Sequence, residues 1–203
     1  MNNSIIKRLP FHYGWVIVFT GTICMAACLG FGRFALGMLL PSMAASLNLT
    51  YSQMGFISTA NFIGYLISVL ISGFIANRTG ARKLIFIALF FVGITMLFIS
   101  RAQSFDQALI LYTLTGIGSG AANIPMMGLV SSWFTRRRRG RAAGFIVIGS
   151  GFAIILSGKL IPFINSIYAS NGWRISWLIL GSAVILIAFI CVLLLRDKPE
   201  KLG

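Results

Sequence analysis

A chain of 203 residues that is 58% hydrophobic and only 10% charged falls outside the range of soluble globular domains, which run at about 45–50% and 25%. Seventeen cations against three acids give a net charge of +14, a balance that in a soluble protein would point to nucleic acid. Here the cations cluster at the ends of long apolar runs, which argues against that class and for a membrane protein. Six runs approach or exceed the roughly 20 residues that a bilayer requires: residues 14–40, 52–76, 84–100, 107–133, 143–164 and 173–195. We refer to them as spans 1 to 6. The sequence thus divides into an N-terminal segment (1–13), a transmembrane domain (14–195) and a short tail (196–203).

The spans alternate in direction, so the connecting segments fall into two sets. One set holds Lys7, Arg8, Arg78, Arg82, Lys83, Arg136 to Arg139, Arg141, Arg196, Lys198 and Lys201, thirteen of the seventeen cations. The other set holds Arg101 and Arg174. By the positive-inside rule both termini are expected in the cytoplasm. Residues 7–28 imitate a signal peptide, but the apolar run continues and five more spans follow, so an uncleaved first helix is expected. Cys24, Cys28 and Cys191 all lie within spans and read as small apolar packing residues rather than a metal set. His12 has no partner in sequence, and no metal or cofactor site is expected.

Span 1 carries Arg33 within Gly30-Phe31-Gly32-Arg33, and the run ends at Pro41, which places Arg33 about 10 Å from the outer end of the span. An arginine at that depth marks a site or a wet cavity, or else snorkels to the headgroups. In span 2, Asn61, Tyr65 and Ser68 share one helical face. Such a stripe lines a pathway or bonds a neighbouring helix.

Residues 73–83 follow, reading Gly-Phe-Ile-Ala-Asn-Arg-Thr-Gly-Ala-Arg-Lys. Gly73 lets a helix end approach its neighbour, and Gly80 supplies φ > 0 where the chain reverses between antiparallel helices. This stretch resembles the signature loop between helices 2 and 3 of the major facilitator superfamily. Gly73, Arg78, Gly80, Arg82 and Lys83 fall on the pattern. Asn77 departs from it, because the family usually has Asp there, and an amide caps or bonds the turn without supplying charge.

Further along, span 4 contains Gly116 and Gly118, similar to the family's fourth-helix motif, with Tyr112 where that motif usually has Arg. The departure weakens any inference of proton coupling. Tyr112, Thr115, Ser119 and Asn123 form a second one-sided polar stripe. The basic run 136–141 leads into Ala142-Ala143-Gly144, similar to the family's link between helices 4 and 5, and between two spans it anchors topology and attracts anionic headgroups. Span 5 carries Lys159, five or six residues from its outer end and close to the expected depth of Arg33. No acid lies in any span to neutralise this pair.

The resemblance covers essentially the whole chain. It implies an all-α integral membrane fold, the amino-terminal six-helix half of a twelve-helix carrier, with spans 1–3 and 4–6 as a 3+3 inverted repeat. It implies a secondary transporter of a small solute, an organic anion if Arg33 and Lys159 bind charge, in a bacterial inner membrane. Arg33, Asn61, Tyr65, Tyr112, Ser119, Asn123 and Lys159 are the expected cavity residues. Gly73, Asn77, Arg78, Gly80, Arg82 and Lys83 form the expected gating loop. Expected partners are the lipid bilayer, the solute and a second six-helix half, from another copy or a separate chain, but not nucleic acid. A truncated half ranks first, ahead of a self-pairing or separately partnered one. A non-transporting adaptor is the alternative. An enzyme is not expected, because the spans contain no paired carboxylates or His/Asp set.

Overall fold

The computed structural model describes residues 13–168 and 171–197. Lys7, Arg8, His12, Lys198, Glu200 and Lys201, with most of the N-terminal segment and tail, lie outside the described residues. Span 1 is a single rod made of α1 (Gly14–Met25), a π-helical stretch (Ala26–Phe34) and α2 (Leu36–Leu47). Spans 2 to 6 are α3 (Tyr51–Thr79), α4 (Ala81–Ile99), α5 (Phe105–Trp133), α6 (Arg136–Tyr168) and α7 (Gly172–Leu194). Spans 1, 2, 3, 5 and 6 are each long and apolar enough to cross a membrane by length and composition. Span 4 is as long as span 2, and its middle carries the small and polar run Thr115-Gly116-Ile117-Gly118-Ser119-Gly120. Its polarity is tolerated because neighbouring helices cover it: Tyr112, Thr115, Gly116, Gly118, Ser119, Gly120 and Ala122 are all buried.

The helices overrun the sequence-derived boundaries. Span 1 continues through Pro41 to Leu47, where Asn48 stops it with a left-handed backbone (φ 52°). Proline is expected to end a helix in water, yet a membrane helix keeps going when neighbours re-satisfy the freed carbonyl. The expected loop 41–51 therefore shrinks to three residues, closed by a capping box in which Thr50 and Gln53 bond reciprocally. Span 5 also runs on to Tyr168, four residues beyond its expected end.

Packing follows the inverted repeat. Span 2 lies along span 4, and its counterpart, span 5, lies along span 1; span 3 packs on span 4, as span 6 does on span 1; spans 3 and 6 pack on each other. Exchanging 1 with 4, 2 with 5 and 3 with 6 thus returns the same set of neighbours. Glycine makes the closest approaches on both sides of the repeat. A Cβ on Gly116 would overlap the Asn61 carbonyl of span 2, and one on Gly149 would overlap the Thr22 carbonyl of span 1. Small residues let backbones meet where lipid provides no hydrophobic drive for association. Spans 2 and 5 are left with the barest faces: 22% and 28% of their apolar windows are buried, against 61% for span 1.

Candidate functional site

The π-helical stretch of span 1 sets the position of Arg33. There the Ala35 N–H bonds the Gly30 carbonyl at 3.0 Å, five residues back. Such insertions recur at functional sites because they reorient side chains within an otherwise regular helix. The Arg33 guanidinium lies 3.7 Å from the ring centre of Phe62 and 4.2 Å from that of Tyr65, both on span 2, with Phe34 at 5.8 Å. Each such contact contributes about 0.5–2 kcal/mol, depending on desolvation. Arg33 Nε is buried with no hydrogen-bond partner among the described residues. Aromatic faces thus hold the cation, leaving its N–H groups for an acceptor.

The sequence-derived site residues separate into two groups. Tyr65 and Asn123 are half-buried and joined, Asn123 Nδ2 donating to Tyr65 Oη at 2.7 Å, so one bond ties span 4 to the aromatic that faces Arg33. Asn61, Tyr112 and Ser119 are buried. Asn61 Nδ2 donates to the Tyr112 carbonyl at 2.8 Å, Tyr112 Oη to the Arg33 carbonyl at 2.5 Å, and Ser119 Oγ to the Thr115 carbonyl at 2.9 Å. Ser119 Oγ also lies 3.1 Å from where a Cβ on Gly32 would sit. The first two knit spans 1, 2 and 4 together beneath Arg33. A Tyr65→Phe, Asn123→Ala double-mutant cycle on unfolding in mixed micelles is expected to give a coupling of about 0.5–1.5 kcal/mol, the range of interhelical bonds in membranes.

Lys159 is exposed on span 5. The parallel helices pack Gly30 against Ala153 and Met38 against Gly158. That register sets Lys159 about one turn, some 5 Å, beyond Arg33 rather than level with it. Arg33 itself lies fourteen residues from the end of span 1, not the seven expected, because the helix runs through Pro41.

At the arginine-rich end, Gly80 adopts φ +89° and ψ 137°, a conformation that side chains disfavour, as the turn chemistry predicts. Gly80→Ala is expected to cost about 1–3 kcal/mol, read as a lowered thermal midpoint in detergent. Gly73 departs from expectation: a Cβ there would meet Ile124 Cγ2 at 3.9 Å, an ordinary van der Waals contact, so the position is not a tight approach. Asn77, Arg78 and Lys83 are exposed, with Arg78 over the Phe74 ring at 4.3 Å. The carboxylate in this turn comes from Asp197, just after span 6. Its Oδ1 accepts the Arg82 N–H at 2.8 Å, capping the start of span 3, where the helix dipole favours negative charge.

Further clasps surround Asp197. Arg82 Nε donates to the Val192 carbonyl at 2.7 Å, Trp133 Nε1 to the Arg196 carbonyl at 2.9 Å, and Tyr13 Oη to the Leu194 carbonyl at 2.7 Å. Burial pushes the Tyr13 phenol above its ordinary pKa, opposed by Arg196 and Arg82, so it remains a donor at neutral pH. Sequence reasoning passed over Asp197. The available signal was an acid immediately after span 6, on the same side as the motif loop. A cavity of about 400 Å³ opens beside it, between Asn77, Gly80, Pro125 and Ser132.

Comparison with known proteins agrees with this architecture. The chain is 27% identical over 174 residues to the membrane sensor protein UhpC of Salmonella typhimurium, covering 85% of this chain and 38% of that protein. Against a probable hexose phosphate transport protein of Chlamydia trachomatis it is 27% identical, over 85% of this chain and 37% of the other. Against the hexuronate transporter of Bacillus subtilis it is 25% identical, over 83% and 39%. The chain therefore spans about two fifths of these relatives. Its fold matches a crystal structure of a bacterial homologue of the human lysosomal transporter Spinster, inward-facing and unoccupied, with a TM-score of 0.81 and 19% identity over 92% of this chain and 44% of that one. The sequence model of the Major Facilitator Superfamily matches residues 22–203, and the chain is a multi-pass membrane protein that belongs to this superfamily.

Proposed function

We propose that this chain forms the amino-terminal half of a secondary carrier that moves a small organic anion by alternating access. The observation that carries the proposal is Arg33: a guanidinium held by aromatic faces deep in the bundle, with a buried Nε that lacks a partner among the described residues. An uncompensated cation in a span is costly unless it serves a ligand or a wet cavity. A carboxylate, phosphate or sulfonate would meet the guanidinium edge-on in two parallel hydrogen bonds. Hexose phosphate and hexuronate, named for two relatives, are anions of this kind.

In this scheme Arg33 binds the anionic group, Tyr65 and Asn123 shape its surroundings, and Lys159, a turn further out, meets a second polar group of the solute. Asn61, Tyr112 and Ser119 hold the helices on which that site depends. Residues 73–83 act at the cytoplasmic gate, with the Asp197 carboxylate in the same turn. The distribution of loop cations supports cytoplasmic termini and a bacterial inner-membrane location. The bare faces of spans 2 and 5, equivalent in the repeat, suit contact with a second six-helix unit. That unit is supplied by the same longer polypeptide, another copy or a separate chain.

The test is uptake of labelled hexuronate and hexose phosphate by vesicles containing the assembled carrier, with a neutral hexose for comparison. Saturable uptake of an anion supports the proposal; preference for the neutral sugar overturns the anion assignment. One relative is named as a sensor, which favours a second reading: binding without transport. Anion-dependent protection against unfolding with no uptake would select it.

A further inference from the structure

A partly open cavity of about 780 Å³ lies between the start of span 1, the end of span 4 and the start of span 5, at the arginine-rich end of the bundle and within the range of small-molecule sites. Arg137, Arg138 and Arg141 line it together with the aromatic rings of Trp15, Trp133 and Phe145. Trp15 and Phe145 meet edge to face, with ring centres 6.2 Å apart. We propose that this cavity binds the phosphate-bearing headgroup of an anionic phospholipid, one molecule per chain. Its arginines hold the phosphate, and its aromatic wall holds the glycerol and the upper acyl region.

Charge balance is the first argument. Two acids fall among the described residues. Asp106 begins span 4 at the opposite end of the bundle, and Asp197 caps span 3. Arg137 and Arg141 stand four residues apart on one helix, and Arg138 and Arg141 three apart, so these like charges face one another and repel. The cavity also lies at the start of span 5, a helix of 33 residues whose first turn contains no acid and whose dipole adds positive potential. An anion relieves both terms at once.

The aromatic wall distinguishes a lipid from free phosphate. Phe145 begins a row with Ile148 and Phe152, spaced at helical intervals and all exposed, that leads away from the cavity along span 5. Phe19, also exposed, continues from Trp15 in the same direction along span 1. Inorganic phosphate would engage the arginines and leave this strip unused, whereas acyl chains would lie along it. Tryptophan beside arginine at the end of a span is also the composition of the headgroup layer.

The experiment is native mass spectrometry of the full chain, purified with phosphatidylglycerol or phosphatidylcholine. Two variants remove the same charge from the same hexapeptide: R137Q/R141Q inside the cavity, and R136Q/R139Q, whose side chains do not line it. One phosphatidylglycerol per chain is expected, held through detergent exchange that strips phosphatidylcholine. Its occupancy should fall about tenfold or more in R137Q/R141Q and stay near wild type in R136Q/R139Q. Should R137Q/R141Q fail to fold, R141Q against R139Q makes the same comparison. Equal loss in both variants would reduce the effect to general surface charge and overturn the site, as would equal retention. Displacement of the lipid by soluble glycerol phosphate would overturn the lipid assignment in favour of a free phosphate ligand.

Discussion

Arg33→Gln should reduce anion uptake by the assembled carrier about 100-fold, since two charge-assisted hydrogen bonds and the cation itself are lost together. Glutamine keeps some length and polarity, so the change reports on charge and on the planar fork. Arg33→Lys should recover only part of the activity: an ammonium keeps the charge but cannot present two parallel N–H groups or stack on Phe62 and Tyr65 in the same way. The folded half should persist in both variants, because the bond that Arg33 makes to Tyr112 uses its carbonyl, not its side chain. Uptake together with thermal midpoint therefore separates the two effects. A midpoint that collapses with Arg33→Gln would make the arginine structural, and unchanged uptake would remove it from the site.

The largest effect on stability is expected at Gly149. A methyl group there would overlap the Thr22 carbonyl, a backbone atom fixed in its own helix, so spans 1 and 5 would have to separate. Gly149→Ala should cost about 2–3 kcal/mol, at the upper end of overpacking, and Gly149→Leu more. Gly151 is a built-in control. It stands two residues away in the same Gly-Ser-Gly sequence, yet nothing lies within 4 Å of its added Cβ. Gly151→Ala should be neutral, or stabilising by up to about 1 kcal/mol through helix propensity. Unfolding midpoints in mixed micelles compare the pair directly; equal losses at both positions would contradict the register described for spans 1 and 5.

Much of this fold was legible because a bilayer imposes length and charge placement on a chain. The six runs, the side on which the cations gather and the turn at Gly80 all follow from those constraints. The 3+3 repeat came from the resemblance alone, and the pairing of spans 2 with 4 and 5 with 1 now supports it. What was not legible depended on what faces each residue. Pro41 reads as a helix end in isolation, and only neighbouring helices make it tolerable inside one. The polar stripes of spans 2 and 4 look alike in sequence, yet Asn61 bonds a backbone carbonyl across the interface while Asn123 bonds the Tyr65 hydroxyl beside Arg33. Two asparagines on helical faces carry no sign of that difference. Asp197 joins the Gly80 turn across 115 residues, a pairing that local sequence cannot announce.

The winding of span 1 between Ala26 and Phe34 also affects how this chain is compared with others. Its π-helical bonds, such as that from Ala35 to Gly30, reach five residues back rather than four, so the stretch holds more residues than an α-helix of the same height. A relative whose first helix is α-helical throughout has fewer residues between the same two planes. An alignment without a gap in this interval would match one flank correctly and slide the other out of phase, setting Arg33 opposite a residue on the wrong face. A gap placed within 26–34 keeps Thr22 and Met38 on their true counterparts together. It also decides which residue of a relative is the real equivalent of Arg33.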